Sequence, residues 1–313
     1  MAGKTNLTTM ARAISALWDT YYTPNFEQFP KEYTQWNTMI GKDQLAGYYD
    51  TIGNLPKAVA LSDGADFPLE AVSQAFQTVI TSSAVASGIE ITWSLMKAAE
   101  GLSNVVNDIK AYAAVRAMIT KLEELAIATW DNAFTTNLAD GVPMLSNSHP
   151  CNDTTGGTNL TYDNLATGAA FGAGGYANVL AALELFSGFK DHQGSPIPST
   201  PKRFMTHAQN QYKLKALMES QTVPSSTTDT SEMNSIPDLT PVFSNYLTSK
   251  TAWFIEDNAP DRPHGICQYL NSVATPENKT EVLQKSRGLG ITSGYFFGVG
   301  AVPNIGIVGS TGL

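Results

Sequence analysis

Apolar and polar positions fall into blocks of different period along the chain. Residues 8–21 place Met10, Ile14, Leu17, Trp18 and Tyr21 at helical spacing behind Thr8 and Thr9, candidate N-caps, so a short amphipathic helix is expected. Thr23 to Gly41 mixes aromatic and polar residues with Pro24 and Pro30 and reads as an extended arm. Between 46 and 93 the pattern is strand-like, with Val59, Leu61, Phe67, Leu69, Phe76, Val79, Ile80, Ile89 and Ile91 among polar neighbours. Asp63-Gly64 is the strongest hairpin signal in the chain. The arm at 22–45 and this hairpin carry more apolar residues than one compact subunit is expected to bury.

From Ser103 to about Phe134 there is no Gly or Pro. Val105, Ile109, Tyr112, Val115, Ile119, Leu122, Ala126, Trp130 and Ala133 step by three or four, which predicts one very long helix crossed by several other elements. Leu122 sits on its apolar stripe, while Glu123, one position round, is expected to tolerate replacement by glutamine. A loop-rich passage over 137–175 precedes a second helix near 176–190, a strand at 203–206 and a third helix near 208–220. A polar run follows at 221–236, and then strand-like pieces at 242–246, 253–256, 265–270, 281–284 and 291–299. Strands and helices are grouped instead of alternating, which predicts an α+β fold. No repeat of 20–50 residues occurs.

Composition narrows the function. Of 313 residues, 42% are hydrophobic, too many for a disordered chain. Only 15% are charged, against about 25% in ordinary soluble domains. A sparsely charged surface suits a protein that lies against other proteins. The net charge of −9 lacks the basic footprint of a dedicated nucleic-acid or anionic-membrane binder. Two cysteines, Cys151 and Cys267, exclude a disulfide scaffold. Nothing before residue 30 resembles a signal peptide, and the uncharged run from Gly288 to Ser310 holds seven glycines and Pro303, which reads as strand and turn, not a membrane span. A soluble protein, intracellular when made, is expected.

Candidate chemistry is sparse. His149 and Cys151 could join His264 and Cys267 as a zinc site, but two such pairs arise easily by chance, and loop residues satisfied by backbone are the reading adopted. Gly172-Ala-Gly174-Gly imitates a dinucleotide fingerprint without the buried strand that must precede it. No nucleophile elbow, Walker lysine or His-Glu-x-x-His is present. No catalytic residue, metal ligand or cofactor is therefore assigned.

The order of the elements resembles a known plan: an arm, a long hairpin, a very long helix, then a mixed domain. Particular residues carry it. Gly88-Ile-Glu-Ile-Thr-Trp93 resembles a hairpin strand running into a spine helix. Asp140-Gly-Val-Pro-Met-Leu-Ser-Asn-Ser-His-Pro150 and Gly156-Gly-Thr-Asn-Leu160 resemble segments of the Mu-like branch of head subunits. Asp191 with Gly194-Ser-Pro-Ile197, Trp253-Phe-Ile255, His264-Gly265 and Gly309-Ser310 resemble later turns and strands of that branch. The departure lies at 278–300, where this branch has a charged, aromatic strand and this chain is Gly-rich. The chain is thus similar to tailed-bacteriophage major capsid proteins of the Hong Kong 97-type fold.

That resemblance implies an N-terminal arm at 1–45 and an E-loop hairpin at 46–93. A peripheral domain with the spine helix spans 94–160, an axial domain 161–264, returning peripheral strands 265–300, and a closing axial segment 301–313. It implies a structural, non-enzymatic subunit that forms hexamers and pentamers and closes an icosahedral shell around double-stranded DNA without sequence-specific contacts. The expected partners are further copies of itself, portal and scaffolding proteins and a decoration protein, with no membrane; the expected location is the virion, after assembly in the host cytoplasm. Assembly contacts are placed at Val59, Leu61, Asp63, Gly64, Phe67 and Leu69. Two alternatives stand beside it: an encapsulin-like shell housing an enzyme, and a soluble hydrolase using Cys151 and a histidine.

Overall fold

The computed structural model describes residues 7–52, 74–92, 109–150, 161–167, 175–190, 196–220, 234–257, 259–270, 276–283, 288–303 and 305–312. The first helix, α1 (Leu7–Gln28), runs past Pro24 instead of ending before it. Ile14, Trp18, Tyr22 and Phe26 recur every four residues on one buried face, and the last three stack on one another. Burying Tyr22 and Phe26 contributes roughly 3–6 kcal/mol, enough to outweigh the roughly 3 kcal/mol that an internal proline costs. The expected extended arm is therefore helix to Gln28, followed by a short helix α2 (Tyr33–Trp36) and strand β1 (Thr38–Lys42). Nor does this segment await a foreign surface, because Tyr22, Phe26, Tyr33 and Trp36 are all buried within the subunit.

Strands β2 (Ala46–Ile52) and β3 (Gln74–Thr81) form an antiparallel ribbon from Ala46↔Thr81 to Ile52↔Gln74. After β4 (Ser83–Ile91), the long helix α3 is seen over Ile109–Asp131, about 35 Å at 1.5 Å per residue. The expected start at Ser103 lies outside the described residues. Helix α3 touches α1, α2, β4, β10 and β12, as a spine should. Leu122 is fully buried on its stripe. Glu123 is buried too, at 1% exposure, because Ile119, Glu123 and Ile127 are spaced i, i+4, i+8 and share one face.

Beyond α3 come the two-residue strands β5 (His149–Pro150) and β6 (Thr161–Tyr162), helix α4 (Gly175–Leu185), β7 (Arg203–His207) and α5 (Gln211–Glu219). Then follow β8 (Thr240–Ser244), β9 (Trp253–Glu256), β10 (Gly265–Leu270), β11 (Glu277–Leu283), β12 (Gly288–Ala301) and β13 (Ile307–Ser310). They build two main sheets. In the first, order β1-β10-β12-β11, β1 runs parallel to β10, and β4 adds to β12 through pairs such as Ile89↔Ile291. The second has order β13-β9-β7-β8.

Each sheet has its own core. Helices α1 and α3 cover the first through Trp18, Tyr22, Leu122, Ile291, Tyr295 and Phe297. Helices α4 and α5 cover the second through Val179, Phe186, Phe204, Leu214, Trp253 and Ile255. A third cluster joins them, with Trp36 and Trp130 edge-on to each other and to Phe254.

Strand β12 accounts for the Gly-rich departure seen in the sequence. Leu289, Ile291, Ser293, Tyr295 and Phe297 alternate into the helix-covered face. At its far end the ribbon passes close by: a side chain at Gly300 would meet Ile80 at 2.7 Å, and one at Gly298 the Ser82 backbone at 3.0 Å. Glycine is what lets β3 and its turn lie this near. A polar chain pins α1 to the same sheet. Trp18 Nε1 donates to Ser293 Oγ (3.2 Å), Ser293 Oγ donates to Asn278 Oδ1 (2.6 Å), and Asn278 Nδ2 donates to Asp19 Oδ1 (2.9 Å).

Candidate assembly surface and the junction between the sheets

The contacts assigned from sequence, Val59, Leu61, Asp63, Gly64, Phe67 and Leu69, lie outside the described residues, but the ribbon that leads to them and back is seen. Its root is fixed by Gln268 of β10. Gln268 Oε1 accepts from Tyr49 Oη (2.9 Å), and its Nε2 donates to Leu45 O (3.1 Å) and Ser82 Oγ (2.9 Å). A buried amide with both ends engaged is a firm anchor. The opposite face of the ribbon is open. On it Tyr48 and Val79 are direct cross-strand partners exposed to 57% and 51%, followed by the exposed pair Asp50 and Gln77, joined by a hydrogen bond from Gln77 Nε2 to Asp50 Oδ1 (2.9 Å). No sequence feature ties Gln268 to the ribbon.

The metal-ligand candidates are kept apart. The His149 ring is buried, with Nδ1 2.7 Å from Asp140 Oδ2 and Nε2 3.2 Å from the Met144 carbonyl, and it stacks on Tyr162. Both ring nitrogens face acceptors, so the ring acts as a structural donor and presents no free nitrogen to a nucleophile. Cys267 points into the α1/α3 core, where burial drives its thiol well above the ordinary range. Its neighbour Ile266 faces the other side of the strand, toward Ile80 and Val302. Among the described residues no three His, Cys, Asp or Glu converge as a metal site. Cys151 and the Gly172–Gly174 segment lie outside them. No helix among them is long and apolar enough to cross a membrane.

Among the described residues, buried charge gathers where the chain crosses between the sheets, at Glu256, Asp257 and His264 with Arg203 and Arg262. The two crossings are tied by Asp257 N–H to Gly306 O (2.9 Å) and Val302 N–H to His264 O (2.9 Å). Gly306 adopts φ +110°, and any side chain there would strike the Asp257 carboxylate. Arg203 of β7 pairs with Glu256 of β9 and donates from Nη1 to the Gln35 carbonyl (2.7 Å). Arg262 pairs with Asp257 (3.1 Å), and His264 Nδ1 lies 3.6 Å from Glu256 Oε2. Burial pushes the His264 imidazole down to about 4; Asp257 and the Ile305 carbonyl oppose that, while Arg203 and Arg262 add to it. Sequence reading singled out only His264 of this cluster, because Arg203, Glu256, Asp257 and Arg262 are scattered and belong to no motif.

Comparison with known proteins gives a consistent answer. Residues 75–305 match the family described as phage capsid protein. The fold is similar to that of a chain from Mycobacterium phage Adephagia, at 10% identity and TM-score 0.51 over 90% of each chain. It is similar also to the capsid of a native GTA particle, at 9% identity and TM-score 0.52 over 90% of each chain. A third likeness is to a virus-like particle from Pyrococcus furiosus, at 9% identity and TM-score 0.53 over 96% of this chain and 98% of that one. At such identities the likeness is one of fold. No curated protein matches the sequence.

Proposed function

Because the chain belongs to the phage capsid protein family and is a structural subunit of a capsid shell, we propose that it assembles as hexamers and pentamers into a closed icosahedral shell around phage double-stranded DNA. The observation that carries this reading is the exposed apolar pair Tyr48 and Val79 on a firmly rooted ribbon. Such a pair gains stability from a neighbouring copy that covers it. The segment 53–73, with Val59, Leu61, Phe67 and Leu69 around Asp63-Gly64, continues that ribbon in sequence and acts as the E-loop that lies across a neighbouring copy. The first sheet with α1 and α3 serves as the peripheral half and the second as the axial half. Strands β10 and β11 fall within 265–300, β12 ends one residue beyond it, and β7–β9 fall within 161–264, which supports that division.

A net charge of −9 fits a wall against which packaged DNA slides instead of sticking. Portal, scaffolding and decoration proteins complete the partner set, and assembly takes place in the host cytoplasm before the subunit ends in the virion. The subunit carries no reaction of its own. The family match favours a phage shell over an enzyme-housing one. The test is imaging of the expressed full chain, alone and with neighbouring gene products, with nucleic-acid analysis of what assembles. Closed particles that hold DNA when made with the packaging genes are the expected result. Monomers under every condition, or particles that hold only a cargo enzyme, would count against it.

A further inference from the structure

The junction cluster encloses a cavity of about 10 Å³, room for one water-sized occupant, lined by Trp36, Thr38, Arg203, Glu256, Arg262 and His264. Its polar atoms are lopsided. Trp36 Nε1, Arg203 Nε, Arg262 Nε, Arg262 Nη1 and His264 Nε2 are all buried without a hydrogen-bond partner in the protein. The first four can only donate. Buried donors are normally satisfied, and leaving each unmet costs about 1–3 kcal/mol. Four donors around one small space call for an occupant that accepts.

His264 decides what kind. Its Nδ1 faces the Glu256 carboxylate, and the Ile305 carbonyl accepts from the ring, so the first proton resides on Nδ1. Nε2 joins the donors only when the ring is protonated. Three positive groups, Arg203, Arg262 and imidazolium, then face two buried carboxylates, Glu256 and Asp257; the third carboxylate in reach, Asp261 at 3.7 Å from Arg262 Nε, is 75% exposed and screened by water, so the buried charges alone are one negative short. We propose that the cavity between the two sheets binds one halide-sized monovalent anion, held by Trp36, Arg203, Arg262 and His264 and taken up together with a proton on His264. Bulky oxyanions are excluded by volume. With His264 neutral, Nε2 accepts, and a water that donates to it suits the same space better than an anion does.

The test compares thermal unfolding of the full chain in sodium chloride and in sodium gluconate at equal ionic strength, at pH 5 and at pH 8. Chloride is expected to raise the midpoint at pH 5 by about 2–4 °C at ten times its dissociation constant, with a much smaller difference at pH 8. Trp36→Phe keeps the aromatic contacts with Trp130 and Phe254 while removing one donor, and should shrink the chloride effect. Equal midpoints in both salts at pH 5 would mean that water alone serves the donors, and the inference fails. It fails equally if chloride acts the same at both pH values, or if Trp36→Phe leaves the effect whole. Should that variant not fold, crystals of the unaltered chain grown in bromide at pH 5 decide the matter. An anomalous peak in the cavity supports the site, and its absence overturns it.

Discussion

Glu123 has a consequence for how this subunit responds to pH. Neither of its carboxyl oxygens has a hydrogen-bond partner. Burial raises its pKa to about 8, the nearby backbone N–H groups of Glu32 and Tyr33 pull it back partway, and the Glu32 charge raises it again. The native state therefore keeps a proton between about 4.5 and 8 that the unfolded chain gives up. Stability is full below that window and falls as pH climbs through it, by on the order of 3–5 kcal/mol in all. Glu123→Gln mimics the protonated form. Chemical denaturation at pH 6 and pH 9 should show the unaltered chain losing stability at the higher pH and the variant losing much less; a parallel loss in both would place the titrating group elsewhere. The sequence reading expected Glu123 to tolerate glutamine but not its buried carboxyl, because a single helical step was weighed without the i±4 neighbours Ile119 and Ile127.

At the scale of elements, legibility followed how far local pattern and tertiary demand agreed. The strands Trp253–Glu256 and Gly265–Leu270 lie where the pattern put them, since both are short apolar runs buried on both faces or bounded by polar turns. Strand β13, Ile307–Ser310, was read only as part of the strand-and-turn run up to Ser310, because Gly306 and Gly309 interrupt its apolar pattern. Strand β12 was foreshortened by glycines that serve the passing ribbon, a demand made by residues far away in the chain. The end of α1 was misplaced because Pro24 speaks locally for a break, while Phe26 is needed against Tyr295. Pro24 is exposed and leaves the Thr20 carbonyl without its helical donor. Pro24→Ala should then stabilise the subunit by about 1–3 kcal/mol, visible as a higher unfolding midpoint. A lower midpoint would show that the proline sets a bend on which the aromatic stack depends.

For the whole molecule, the ribbon separates folding from assembly. Its root is hydrogen-bonded to β10 and its far segment, 53–73, connects paired ends at Ile52 and Gln74. Replacing Pro56–Phe67 by a short Gly/Ser linker should leave the unfolding midpoint of the subunit nearly unchanged while abolishing closed particles, as judged by negative-stain imaging. Unfolding of the subunit by that change would put the segment in the core instead. The functional reading was legible in the sequence as an order of motifs, whereas Gln268 and the junction charges were not, because each acquires its role only from partners distant in sequence.

The first sheet also dictates when a subunit comes into being. It joins Thr38 to Ile266 and Ile89 to Ile291, so strands made early in synthesis find their partners only when nearly the entire chain has left the ribosome. Pairings of such long range are slow to form, and until then the faces of α1 and α3 that cover β12 have no sheet to rest on. A growing chain therefore has neither a finished core nor the Gln268 anchor of its ribbon. Two subunits can meet as building blocks only after both are complete, and polysome-bound fragments ending before β12 stay out of the shell.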